Sequence, residues 1–375
     1  MKQLIYADHA ATTKLDTDAW EAMRPYLQEE YGNISEPYQF SRKAKKAARW
    51  AREQIAEAIG AAPEEIFFTS GGTESDNWAI KGMLAPGRRD EILTSKIEHH
   101  AILRSCRSIG RFGYIARVLP VTEKGVVRAE TLQSALSVRT RLVSIMMANN
   151  EIGTIEPIAE LARIAHEQGA FFHTDAVQAV GHLPIDVDQL GVDLLSASGH
   201  KFNGPKGSGF LYVRKDTPIF PWMDGGAQES GMRAGTENVA AMVGMAVALQ
   251  KNIARMEETS SWLMQLEHIF IQKMMASGLD FLRNGAENHV PGNISISIRY
   301  ADGEMLLHRL DLKGICVSTG SACNSGSTKI SHVLRAIGVP EEYAKGTIRI
   351  TLGKENSEED VRKIVEDLSD ICNKS

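Results

Sequence analysis

The chain has 375 residues, 43% of them hydrophobic and 24% charged, which suits a soluble protein of about two domains with a large buried core. Its 42 Lys and Arg against 47 Asp and Glu leave a net charge of -5 with no basic tract, which argues against a nucleic-acid or anionic-membrane partner. The opening MKQLIYADHAATTKLD lacks the apolar run and cleavage site of a leader, and no stretch keeps about 18 apolar residues together, so a cytoplasmic protein without a membrane partner is expected.

In chain order, Ala44, Ala47, Ala48, Ala51, Ile55 and Ile59 recur at helical spacing and Gly60 follows as a stop, predicting an amphipathic helix from about residue 36 to 60. Short β-rich runs then alternate with helical patterns: Ile66 to Thr69, Ile92 to Thr94, Leu142 to Met147, Phe171 to Thr174, Leu194 to Ala197 and Gly209 to Val213. That alternation predicts an α/β fold with a mostly parallel sheet flanked by helices. After about residue 238 the texture changes to a long helical stretch reaching Met274. A smaller α+β unit follows, with strands at Ile294 to Ile298 and Thr347 to Leu352. Its helices are expected at Asp302 to Leu312, at Ser331 to Ile337 and after a capping box at Ser357 and Asp360. The division expected is a large unit of residues 15–255 and a small one of residues 1–14 with 256–375.

The densest candidate for chemistry is the loop from Ser196 to Gly209, which follows a strand and carries Ser198, His200 and Lys201 among four glycines. A random lysine is solvated; one fixed at a strand end among small residues reaches a cofactor aldehyde. Asp175 closes the strand that begins at Phe171, where ligands gather on an open α/β sheet. Alone it reads as a helix cap. Beside a cofactor lysine it fits the acid that keeps a pyridine nitrogen protonated, with Gln178 near enough for the ring's phenolic oxygen.

The run Ile66-Phe-Phe-Thr-Ser-Gly-Gly-Thr-Glu-Ser75 is a strand, a glycine turn and a helix start, a geometry that aims backbone N–H groups at an anion, and makes Gly72 and Thr73 phosphate candidates. His99 opens another helix, and its imidazole suits stacking on a ring or shuttling a proton. Asn150, in Ala148-Asn-Asn-Glu-Ile-Gly-Thr154, orients a substrate or closes a turn. Four cysteines are too few and too irregularly spaced for a disulfide framework or a zinc site, and no metal is expected. Of these, Cys323 stands among small polar residues from Ser318 to Lys329, which suits an exposed thiolate nucleophile, whereas Cys316 and Cys372 have apolar neighbours.

Together these segments resemble the cysteine desulfurases, within the class V aminotransferase-like, fold type I group of pyridoxal-phosphate enzymes. The resemblance runs from Tyr6-Ala-Asp-His-Ala-Ala-Thr-Thr13 to Thr347-Ile-Arg-Ile-Thr-Leu-Gly353, and the order Ser-Gly-His-Lys then Gly-Ser-Ala-Cys is highly specific. It implies conversion of L-cysteine to L-alanine, with the sulfur left as a persulfide on Cys323 for an acceptor protein in iron–sulfur cluster or thio-cofactor biosynthesis. It implies pyridoxal 5'-phosphate carried on Lys201, with Asp175 at the pyridine nitrogen, Gln178 at the phenolic oxygen and His99 stacked on the ring. The phosphate falls to Gly72, Thr73, Ser198 and His200, and to Thr236 of a second subunit, hence a homodimer. Asn150 and Arg349 take the substrate carboxylate.

The chain departs from the family at Asn33-Ile-Ser-Glu-Pro-Tyr38, at Ser230 and Met232, and at Thr328-Lys-Ile-Ser331. It ends at Ser375 without the extension with which housekeeping members dock their scaffold, which points to a different acceptor. The rival readings are a selenocysteine lyase, which has no need of Cys323, an aminotransferase, which gives Cys323 no task, and a catalytically silent sulfur carrier, which has no need of Lys201, Asp175 and His99.

Overall fold

The computed structural model describes residues 4–319 and 330–373. The expected nucleophile, Cys323, lies outside the described residues.

The chain begins with β1 (Ile5–Tyr6), α1 (Thr17–Gln28) and α2 (Arg42–Ile59). The main unit continues through β2 (Ile66–Thr69), α3 (Gly72–Gly82), β3 (Glu91–Ser95), α4 (His100–Ser108), β4 (Ile115–Leu119), α5 (Ala129–Ala135) and β5 (Thr140–Ser144). Then come α6 (Ile158–Glu167), β6 (Phe171–Asp175), α7 (Val187–Leu190), β7 (Leu194–Ser198), β8 (Gly209–Val213) and α8 (Val239–Ala254). The remainder is α9 (Met256–Ala276), β9 (Phe281–Arg283), β10 (Asn293–Ile298), α10 (Gly303–Leu312) and β11 (Ile315–Cys316). Finally there are α11 (His332–Ala336), α12 (Glu341–Ala344), β12 (Thr347–Thr351) and α13 (Glu358–Asn373).

A seven-stranded sheet in the order β2-β8-β7-β6-β5-β3-β4 forms the centre, and among its described strands all but β8 run the same way. Buried on both faces, β7 and β8 are apolar or small at every position, as a covered sheet demands. The alanine stripe of α2 is buried, chiefly against α8, and Gly60 ends the helix at φ 71°, a left-handed cap that glycine adopts without strain. One core packs on one face of the sheet, with Ile55, Phe172, Leu195, Phe210 and Leu249, and a smaller cluster on the other, with Trp78, Ile92, Leu194 and Leu211. A second surrounds the three-stranded sheet β12-β10-β9 and includes Ile296, Ile348, Val361 and Leu368. β1 pairs in parallel with β11, so the first residues join this second core.

Several boundaries differ from the sequence reading. The strand expected to reach Met147 ends at Ser144: Ile145 and Met147 still donate to the His173 and Asp175 carbonyls, but on the other edge the Met146 N–H goes to the Glu98 carboxylate at 3.0 Å. The long helical stretch breaks at Arg255 into α8 and α9, and the helix expected from residue 36 has its α-helical turns from Arg42. β4 was not foreseen. It is an edge strand with most positions outside the core, so burial does not impose the apolar run of its neighbours. The capping box forms as expected, Ser357 and Asp360 exchanging hydrogen bonds at 2.9 and 3.2 Å.

Candidate active site

Parallel strands deliver their C-terminal ends to one edge of the sheet, and the expected site residues gather there. Asp175 ends β6, and β7 ends at Ser198, from which one turn of 3-10 helix carries His200 and Lys201. β2 leads through Gly71 into α3 at Gly72 and Thr73, and β3 leads to His99, the N-cap of α4. β5 leads to Asn150, while Arg349 enters from β12 of the second sheet. The cleft they enclose, ≈ 560 Å³, is lined by Gly72, Thr73, His99, Asn150, Asp175, Gln178, Ser198, His200, Lys201 and Arg349. Thr236 lies outside it, in an adjoining pocket that shares Ser70 and Gly207 with the cleft.

Lys201 Nζ donates to the carbonyls of Ala10 at 2.5 Å and Ala11 at 2.9 Å, and Gln178 donates to the same Ala10 carbonyl at 3.0 Å. The N-terminal segment is therefore a wall of the cleft. Burial pushes the Asp175 carboxyl up to about 6, against the Val177 N–H bond and the Lys201 charge, so it is mostly ionised at pH 7 and favours a cation facing it. His99 Nδ1 accepts the Ala101 N–H at 3.2 Å, which leaves its proton on Nε2. Burial first, and the Lys201 charge next, lower His99 to about 4, so the imidazole is neutral at pH 7. The same two causes lower His200 to about 4, and its Nδ1 lies 3.1 Å from the Thr12 hydroxyl.

The turn before α3 is built for close approach. Gly71 has φ 143°, and a Cβ on Gly72 would stand 2.5 Å from Val177 Cγ2. Glycine there lets the helix start lie against the floor of the cleft, with its first N–H groups facing the space beside Ser198. A phosphate, a pyridine ring over Asp175 and an aldehyde at Lys201 fit this donor set.

At the other end, Arg349 is 4% exposed, donates from Nη1 to the Asn150 carbonyl at 2.9 Å, and pairs through Nη2 with Asp8 at 2.6 Å. Its Nε is buried without a partner, a donor suited to a carboxylate. Sequence reasoning missed Asp8, the carbonyls of Ala10 and Ala11, Asp76 and Lys206, the last two of which also line the cleft. Asp8 to Ala11 stood inside the quoted opening motif, but backbone carbonyls carry no side-chain signature. Asp76 lies one helical turn into α3, where the pattern marks a buried face and not a ligand. Cys106 is buried with its thiol pushed up to about 12, whereas Cys316 and Cys372 are half-buried.

The aminotransferase class-V family model matches residues 5–364. A protein named cysteine desulfurase IscS from Dictyoglomus turgidum is 50% identical over 100% of this chain and 96% of its own length. One of the same name from Methanosarcina thermophila is 47% identical over 99% of this chain and 92% of its own. A solved structure described as a NifS-like protein superposes with a TM-score of 0.94 at 36% identity, covering 100% of both chains. The chain belongs to the class V aminotransferase family, as a pyridoxal-phosphate-dependent cysteine desulfurase.

Proposed function

We propose that this desulfurase works through Lys201, His99 and Cys323, and holds L-cysteine by its carboxylate at Arg349 and Asn150. The observation that carries the reading is the convergence in one cleft of Lys201, the buried Asp175 and the Arg349 guanidinium with a free buried Nε. Bound pyridoxal phosphate supplies the electron sink that makes the substrate Cα–H acidic. Gly72, Thr73, Ser198 and His200 hold its phosphate, Asp175 its ring nitrogen and Gln178 its phenolic oxygen.

Lys201 Nζ removes the proton from the substrate Cα and later returns one, while the neutral His99 covers the ring and carries its proton on Nε2. The Cys323 thiolate then attacks the substrate sulfur. A sulfur–sulfur bond forms, the Cβ–sulfur bond breaks, and its electron pair stays on carbon, which takes a proton to become the methyl group of alanine. Sulfur is oxidised as carbon is reduced, so one L-cysteine and the Cys323 thiol give one L-alanine and one persulfide with no external oxidant.

The reading extends to a homodimer, with Thr236 of one copy at the phosphate of the other; its place outside the cleft of its own chain supports this. It extends also to delivery of the sulfur to an acceptor protein for iron–sulfur cluster or thio-cofactor biosynthesis in the cytoplasm, where thiol chemistry stays reduced. No helix among the described residues is long and apolar enough to cross a membrane.

The test uses the cofactor-loaded protein: alanine and, with a reductant present, sulfide are measured from L-cysteine. The two are expected in equal amounts, and Cys323→Ser is expected to release no sulfide while its absorbance still changes on adding L-cysteine. Sulfide release at the parental rate from Cys323→Ser would end the persulfide reading. A requirement for a keto acid would reassign the site to transamination.

A further inference from the structure

Two acidic residues flank the site residues without a task in the chemistry: Glu98 precedes His99, and Glu151 follows Asn150. Both reach the start of α11. Ser331, its N-cap, donates from Oγ to Glu151 Oε2 at 2.5 Å while Ser331 Oγ itself accepts the Val333 N–H at 3.0 Å. The next residue, His332, donates from Nε2 to the Glu98 carbonyl at 3.0 Å. Around these bonds Ile97 and Ile152, from the two loops, pack with Val333, Leu334 and Ile337 of the helix and its end. Glu151 and Ser331 are 7% and 6% exposed, so their hydrogen bond is made out of water, where a hydrogen bond is strong and an unmade one costly.

The other side is fastened as well. Ser318 exchanges backbone hydrogen bonds with Arg349, at 3.0 Å through its own N–H and 2.6 Å through its carbonyl. Before and after residues 320–329, then, the chain is bolted to Arg349 and to the neighbours of Asn150 and His99. An attack on the substrate sulfur needs the attacking and substrate groups indexed to a common frame, because misplacement by about 1 Å costs on the order of 100-fold in rate.

We propose that Glu151 is a positioning residue for the sulfur-transfer step: through Ser331 it fixes the chain eight residues beyond Cys323 to the same loop that presents Asn150 to the substrate. The inference rests on the roles given above to Cys323 and Asn150. Glu151 is not among the residues that line the cleft. It acts through Ser331, and a glutamine, whose amide oxygen also accepts a hydroxyl proton, does the same work.

The experiment compares Glu151→Ala, Ser331→Ala, their double variant and Glu151→Gln as full-length holoenzymes. It records kcat and KM for L-cysteine, the cofactor absorbance change on adding L-cysteine, and the thermal midpoint of the cofactor-free protein. Glu151→Ala and Ser331→Ala are expected to lower kcat by roughly 10- to 100-fold. KM and the substrate-induced absorbance change should stay within about threefold. The double variant should be no worse than either single one, since both remove the same bond. Glu151→Gln should recover kcat to within about threefold of the parent. A parental kcat in both alanine variants, with only a lowered midpoint, would show a structural bond and overturn the proposal, as would a loss confined to KM. Cys323→Ser run alongside separates the two ideas. If it retains turnover, the underlying reading fails; if it is inactive and Glu151→Ala is not slowed, only the positioning role fails.

Discussion

The floor and the rim of the cleft are built in different ways. The floor comes from one sheet: Asp175, Ser198 and the Lys201 turn sit at the ends of adjacent strands that are buried on both faces and joined by a continuous ladder. The rim is assembled across a seam between two cores, where Arg349 of β12, gripped by Asp8 on its own side, reaches the Asn150 carbonyl on the other. A floor of that kind is rigid wherever the sheet folds. A rim of that kind exists only when both cores are docked, and its parts are far apart in the chain.

The contrast breaks most sharply at Lys201. Lys201→Ala is expected to abolish alanine formation, by about 10⁴-fold or more, while the protein still folds and the cofactor phosphate site survives. Measured turnover with retained pyridoxal-phosphate binding checks both halves. On the rim, Arg349→Ala should lower kcat/KM by roughly 30- to 1000-fold, carried mainly by KM, since a charge-assisted contact worth about 2–4 kcal/mol is lost. Asp8→Asn keeps the guanidinium but loosens its hold, and a smaller rise in KM, roughly tenfold, is expected from steady-state kinetics. An unchanged KM for Arg349→Ala would place the substrate carboxylate elsewhere.

The phosphate turn belongs to the floor, and a small change tests its close packing. Gly72→Ala puts a methyl group 2.5 Å from Val177 Cγ2, so cofactor affinity should fall by about tenfold through a displaced turn, read by fluorescence or absorbance titration of the apo protein.

The smallest expected effect is a pH dependence that gathers around the rim loop. Burial raises Glu151 to about 7 and Glu156 to about 8. Carboxyls raised in the folded state contribute stability that is fully present below their unfolded pKa and is lost as pH rises through the folded value. Buried histidines lowered by burial, His99 and His200 to about 4 and His173 to about 3, work with the opposite sign, but only below their unfolded value of 6.5. Between about pH 6.5 and 8.5 the carboxyls therefore decide the sign, and the cofactor-free protein should melt a few degrees lower at the higher pH. Glu156 has one buried oxygen without a partner, and Glu156→Gln should flatten that slope; an unchanged slope would mean that Glu156 is already ionised at neutral pH.

How much of this was legible in the chain follows the same division. Lys201, Asp175 and the Gly71-Gly72 turn announce themselves because a strand end, a glycine and a polar side chain fall within a few residues, and local sterics dictate their geometry. The order of strands, the reversed β8 and the edge strand β4 were not legible, since pairing partners are chosen by burial across the whole sheet. The carbonyls of Ala10 and Ala11 at Lys201 Nζ were equally silent.

The sequence by itself determined the α/β alternation, the helix caps at Gly60 and Ser357, and the residue types that chemistry at an aldehyde and a phosphate requires, because these depend on contacts within a few residues. Tertiary structure alone decided that Asp8 grips Arg349 across 341 positions and that Ser331 reaches Glu151 across 180. Such bonds form only when segments far apart in the chain are packed together, and the free energy of that packing is spread over apolar surface that no motif records.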